Sequence, residues 1–138
     1  ILAALSLLAL ATTAFAYPTK PAKCPDAGSL ANGGLNPSII AQDADGLWTV
    51  GMNRSKYDTT DSWWTFVVGR ISARDRTDAY ARAVGALKGM TFQQGPFAMT
   101  KINKWGCTYN NIPGYVAIAV TPSLEGASSD MISIIHAA

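Results

Sequence analysis

The chain has 138 residues, room for one domain, and carries 11 Lys+Arg against 9 Asp+Glu, a formal net charge of +2. That balance is too small to argue for nucleic acid or an anionic membrane surface as a partner. Two cysteines and one histidine leave little from which to assemble a metal cluster or a nucleophile–base pair.

Residues Ile1–Ala16, ILAALSLLALATTAFA, are uncharged and end in the small-x-small triplet Ala14-Phe15-Ala16. This is the pattern of a signal peptide, and cleavage after Ala16 is expected to leave a mature domain over 17–138. An uncleaved anchor is the alternative, although about 20 apolar residues are normally needed to span a bilayer. No second apolar stretch approaches spanning length, so no membrane span is expected in the mature form. Export to the periplasm or beyond the cell places Cys24 and Cys107 where thiols oxidise, and a Cys24–Cys107 disulfide is expected.

Tyr17–Lys23, with two prolines and two lysines, reads as an extended leader. Cys24-Pro25-Asp26 opens a short helix that Gly33-Gly34 ends. Ile39–Gln42 and Leu47–Met52 flank Asp43-Ala44-Asp45-Gly46 and predict a hairpin. Asn53–Asp61 is a polar loop. Trp63–Ile71 is aromatic and β-branched almost throughout, as a central strand or one covered on both sides would be.

Ser72-Ala73-Arg74-Asp75 matches a capping box and introduces a helix of about four turns. Its apolar stripe is Ala79, Tyr80, Ala83, Val84 and Leu87, and Gly89 supplies the stop. Strands follow at Met90–Gln93, Phe97–Ile102, Trp105–Tyr109 and Tyr115–Thr121; Met131–Ile135 is a short last strand or an ordered tail. The sum is an α+β fold, an antiparallel sheet of five to seven strands with one long helix packed on a face and a short N-terminal helix. Phe66, Val67, Val116, Ile118 and Val120 are expected beneath that helix.

Chemistry-bearing residues are sparse. His136 stands near the end of the sequence and reads as a surface residue. Asp43 and Asp45 suit a turn that satisfies its own backbone, and calcium there, helped by Asp58 or Asp61, lacks the full ligand loop. Asn53-Arg54-Ser55 matches a glycosylation acceptor. No catalytic residue, metal site or required cofactor is assigned. The aromatics are the remaining resource. Trp63 and Trp64 are neighbours on a strand and must point to opposite faces, so one faces solvent or lies under a loop. With Tyr57 and Trp105 they form the candidate binding surface, since an exposed aromatic patch marks a ligand or partner site. The expectation is a secreted, non-enzymatic binding protein for a small hydrophobic ligand or a protein partner. An effector or protease-inhibitor-like protein, acting by loop Asn53–Asp61 or Asn110–Gly114, is the alternative.

The order Cys24-Pro25, Asp45-Gly46-Leu47-Trp48, Trp64-Thr65-Phe66-Val67-Val68-Gly69, capped helix, Cys107 and Gly114-Tyr115-Val116-Ala117 resembles a family of small secreted bacterial proteins of uncharacterised domain function. One group in that family has been described as haemin-binding. The resemblance implies a periplasmic or secreted protein and offers haem as a ligand class. Axial ligation would then fall to Tyr57, Tyr109 or Tyr115, because His136 is terminal and the thiols pair.

Overall fold

A computed structural model describes residues 16–110, 112, 114–124 and 128–138. All but the last residue of the expected signal segment Ile1–Ala16 lies outside these. The described elements are helix α1 (Ala27–Gly33), strands β1 (Ile40–Gln42), β2 (Trp48–Gly51) and β3 (Thr65–Ile71), helix α2 (Arg76–Ala86), strands β4 (Thr91–Met99), β5 (Lys104–Asn110) and β6 (Val116–Thr121), and helix α3 (Ser128–Ala137). The six strands form one sheet in the order β1-β2-β3-β6-β5-β4, antiparallel throughout. Each half is a three-strand meander. The halves meet where β3 pairs with β6, from Thr65↔Val120 to Gly69↔Val116.

Strand β3 explains the layering. Every residue of it except Arg70 is buried, and successive side chains leave by opposite faces. Phe66 and Val68 enter a core shared with Leu30 of α1 and Ala83 and Leu87 of α2. Val67 enters the second core with Ile118, Val120, Met131, Ile134 and Ile135. A strand apolar on both faces therefore carries helices on both, where the sequence led to one helix on one face. The expected Cys24–Cys107 disulfide is present, ties the segment before α1 to β5, and spans 83 residues.

The α+β class and the antiparallel sheet hold, but the long helix does not. Helix α2 has 11 residues. It begins three residues past the expected cap: the Asp78 amide donates to Asp75 Oδ1 at 2.8 Å, and the Arg74 amide donates to Asp78 Oδ2 at 3.0 Å. Asp75 is the N-cap in place of Ser72, and Asp78 reaches back past it to the amide of Arg74. Within the stripe Ala79, Ala83 and Leu87 are buried, whereas Val84 is 38% exposed. Of the residues expected beneath this helix, only Phe66 is in its core; Val67, Val116, Ile118 and Val120 belong to the other face.

That other face is covered by α3, in place of the strand or tail expected at Met131–Ile135. Met131, Ile134 and Ile135 recur at i, i+3, i+4 and form its buried stripe. Gly69 makes the close approach feasible, because a Cβ there would stand 2.3 Å from Ile135 Cδ1. The two strands expected at Met90–Gln93 and Phe97–Ile102 are one, β4, whose register against β5 shifts on both sides of Gln94. Gly95 sits within that irregular stretch at φ +128, and a Cβ on it would lie 2.6 Å from the Gly106 carbonyl oxygen. Only glycine fits there.

Candidate binding surface

The approach to β3 separates two adjacent tryptophans. Ser55 and Trp64 form an isolated antiparallel bridge, exchanging N–H···O bonds of 3.1 and 2.8 Å. Trp64 points inward and is fully buried, its Nε1 donating to Thr59 Oγ1 at 3.1 Å. Trp63 therefore points outward and is 51% exposed. The same alternation sends Arg54 and Lys56, the neighbours of Ser55, to the side of Trp63. Arg54 Cζ lies 5.7 Å and Lys56 Nζ 5.4 Å from the Trp63 ring centroid, within cation–π range.

Trp63 forms one wall of an open groove of about 340 Å³, whose lining includes Pro18, Arg54, Asp61 and Pro122. The expected leader residues build the far wall by lying along β5. Tyr17 meets Trp105 edge-on at 5.4 Å between centroids, and its hydroxyl donates to the Lys104 carbonyl. Trp105 Nε1 donates to the Pro18 carbonyl at 2.7 Å, and Lys20 Nζ stands 5.7 Å from its ring. Trp105 thus supports the groove from behind Pro18. Tyr57 is half-buried, donates to the Asn53 carbonyl at 3.1 Å, and has its phenol pushed up to about 12 by burial. Of the four residues singled out in the sequence, Trp63 faces the groove, Trp105 positions its wall, and Trp64 and Tyr57 belong to the scaffold. Arg54, Pro18 and Pro122 were not singled out; the signal for Arg54 was its place beside Ser55 in a loop that pairs with the start of β3.

Loop 53–62 is fastened to the segment beside the disulfide. Lys23 Nζ donates to Asp58 Oδ2 at 2.6 Å and the Asp26 amide donates to Asp58 Oδ1 at 2.9 Å. Burial raises the Asp58 pKa, but the bonds from Lys23 and from the Asp26 amide outweigh it and hold the carboxyl down at about 2. A carboxyl depressed in the folded state contributes stability that is complete above its unfolded pKa of about 4 and is lost as pH falls toward its folded value. Acid titration from about pH 4 to about pH 2 should therefore remove on the order of 1–2 kcal/mol from wild type beyond the loss seen in Asp58→Asn. Urea midpoints across that window check this, and parallel curves for the two proteins would refute it.

Other candidates resolve into structural roles. Asp43 Oδ1 accepts from the Asp45 and Leu47 amides at 2.9 and 3.0 Å, the turn function expected of it. Among the described residues, no group of three or more His, Cys, Asp or Glu is placed to hold a metal ion. His136 is exposed in the last turn of α3. The tyrosines proposed for haem do not fit that task. Tyr57 and Tyr109 donate to carbonyls of Asn53 and Pro25, burial raises both phenols, and Tyr115 engages Arg82. Both cysteines are in the disulfide. A second groove, of about 310 Å³, lies between α1 and α2 and is lined by Ala31, Leu35, Tyr80, Val84, Leu87 and Lys88, with Gly34. Comparison of the chain with protein families, with curated proteins and with solved structures finds no match.

Proposed function

We propose that the chain is an exported, non-catalytic binding protein that recognises a protein partner through the Trp63 face. The observation that carries this reading is the half-exposed Trp63 with Arg54 and Lys56 against its ring, beside an identical residue that is fully buried. A half-exposed indole flanked by two cations offers a ready anchor, and Trp and Arg are enriched among the residues that carry partner interfaces. The open form of the groove suits a protein surface better than an enclosed small molecule. Export is supported by the Ile1–Ala16 pattern and by a disulfide, which persists in oxidising compartments. The resemblance of the motif order to a small secreted family points to the same compartment.

Trp63→Ala should leave stability within about 0.5 kcal/mol of wild type, since the ring supports no core. Capture from the extracytoplasmic fraction, followed by titration of the retained protein, should show affinity falling about 30-fold or more in the variant. A partner bound equally by both forms would remove Trp63 from the interface. The apolar groove between α1 and α2, with Val84 exposed within it, favours a second reading: a small hydrophobic ligand, whose binding Trp63→Ala would leave unchanged.

A further inference from the structure

Strands β3 and β5 begin, and β6 ends, at one end of the sheet, which brings Trp63, Trp105 and Thr121 close together. Thr121 pairs with Trp105 in the β5–β6 ladder, and its Oγ1 donates to the Trp63 carbonyl at 2.7 Å. One indole thus stands on each side of the end of β6. Trp105 is already occupied. It holds Pro18-Thr19-Lys20-Pro21, a Pro-x-x-Pro run that is neither helix nor strand. Its indole N–H donates to the Pro18 carbonyl at 2.7 Å, and Tyr17 packs edge-on against the ring. Aromatic grooves take Pro-x-x-Pro segments in this way, because proline fixes the extended shape before binding and little entropy is lost. Trp63 faces the groove that Pro18 and Pro122 also line, and among the described residues no acceptor meets its indole N–H.

We infer, on the reading of the Trp63 face as the partner surface, that the groove takes an extended proline-rich segment with acidic residues beside its prolines. Trp63 holds that segment as Trp105 holds the protein's own leader. The acidic character follows from charge complementarity. Arg54 and Lys56 lie against the Trp63 ring, and Lys104 Nζ donates to the Pro122 carbonyl at 2.6 Å. Against these cations, Asp61 is the one carboxylate among the described lining residues. Lys56 has no carboxylate partner among the described residues, so its ammonium is available to one from outside. The prolines supply shape and ring contact with Trp63, and the carboxylates set the register and the sign of partner accepted.

The probe is a labelled synthetic peptide, PEPPEPPE, titrated by fluorescence anisotropy into the purified, disulfide-intact protein. Binding should saturate below about 1 mM. Its lysine counterpart PKPPKPPK and its alanine counterpart AEAAEAAE should each bind about tenfold more weakly or worse. Trp63→Ala should weaken the acidic proline peptide about tenfold or more, and Lys56→Glu about fivefold, with unchanged far-ultraviolet circular dichroism spectra. Raising the salt should weaken wild type more than Lys56→Glu. No saturation by wild type overturns the inference, as does an alanine or lysine peptide bound as tightly as the acidic proline one. A captured partner that needs Trp63 but is not displaced by PEPPEPPE also overturns it, and leaves the Trp63 surface standing. A captured partner indifferent to both Trp63→Ala and the peptide ends the two together.

Discussion

Replacing Cys24 and Cys107 together by alanine is expected to lower stability by about 4.5 kcal/mol, the chain-entropy value for a loop of this length. The bridge spans 83 residues, so its removal releases most of the domain's denatured ensemble from one long constraint. Domains of this size are stable by only about 5–15 kcal/mol in all, so the loss takes a large share. Both sulfurs lie in the core, and the alanines leave no charged or polar group stranded there. Urea denaturation should show a much lower midpoint. An early change in tryptophan emission should accompany it, because Cys24 anchors the leader whose Pro18 carbonyl holds Trp105. A double variant unfolding at the wild-type urea concentration would show that Lys23, Asp58 and the packing of Leu30 secure the N-terminal segment without the bridge.

The second large effect is expected one residue from a silent position. Trp64→Ala removes a fully buried indole from the core containing Phe66, Met52 and Val50 and should cost about 3–5 kcal/mol. It also takes the indole N–H away from Thr59 Oγ1, which keeps its bond to the Lys56 carbonyl at 2.7 Å. Trp64→Phe should recover most of the packing and none of the N–H···O bond, placing it between the two. Equal stabilities for Trp63→Ala and Trp64→Ala would contradict the inward and outward assignment on which the binding surface rests.

Much of the architecture is legible in residue order, and the errors share one cause. The Asp43–Gly46 hairpin, the Gly33-Gly34 stop, β3 and β6 appear close to where local chemistry places them, because turns, caps and β-branched runs act within a few residues. Met131–Ile135 forms a helix where a strand or tail is expected, because Met-Ile-Ser-Ile-Ile favours a strand locally, while its i, i+3, i+4 stripe acquires meaning only against Val67, Ile118 and Val120. The helix start moved from Ser72 to Asp75 because the chain must first leave the sheet past Arg70, which takes a left-handed φ of 60° at the end of β3. β4 reads as two strands because Gly95-Pro96 punctuates it, yet pairing with β5 runs through the interruption.

The candidate surface divides along the same line. Alternation along a strand is a covalent property, so the sequence by itself determined that Trp63 and Trp64 oppose each other, that β3 is apolar on both faces, and that two cysteines in an oxidising setting would bridge. Which tryptophan meets water was decided only by the tertiary structure, through the Ser55–Trp64 bridge that orients the pair and the α1–α2 layer that buries one of them. Tertiary contacts likewise brought Pro18 and Pro122, 104 positions apart in the chain, to one groove with Arg54. Local preferences act over a few residues through sterics and neighbouring hydrogen bonds, whereas exposure depends on what distant segments cover, and that is settled only when the sheet closes between its helices.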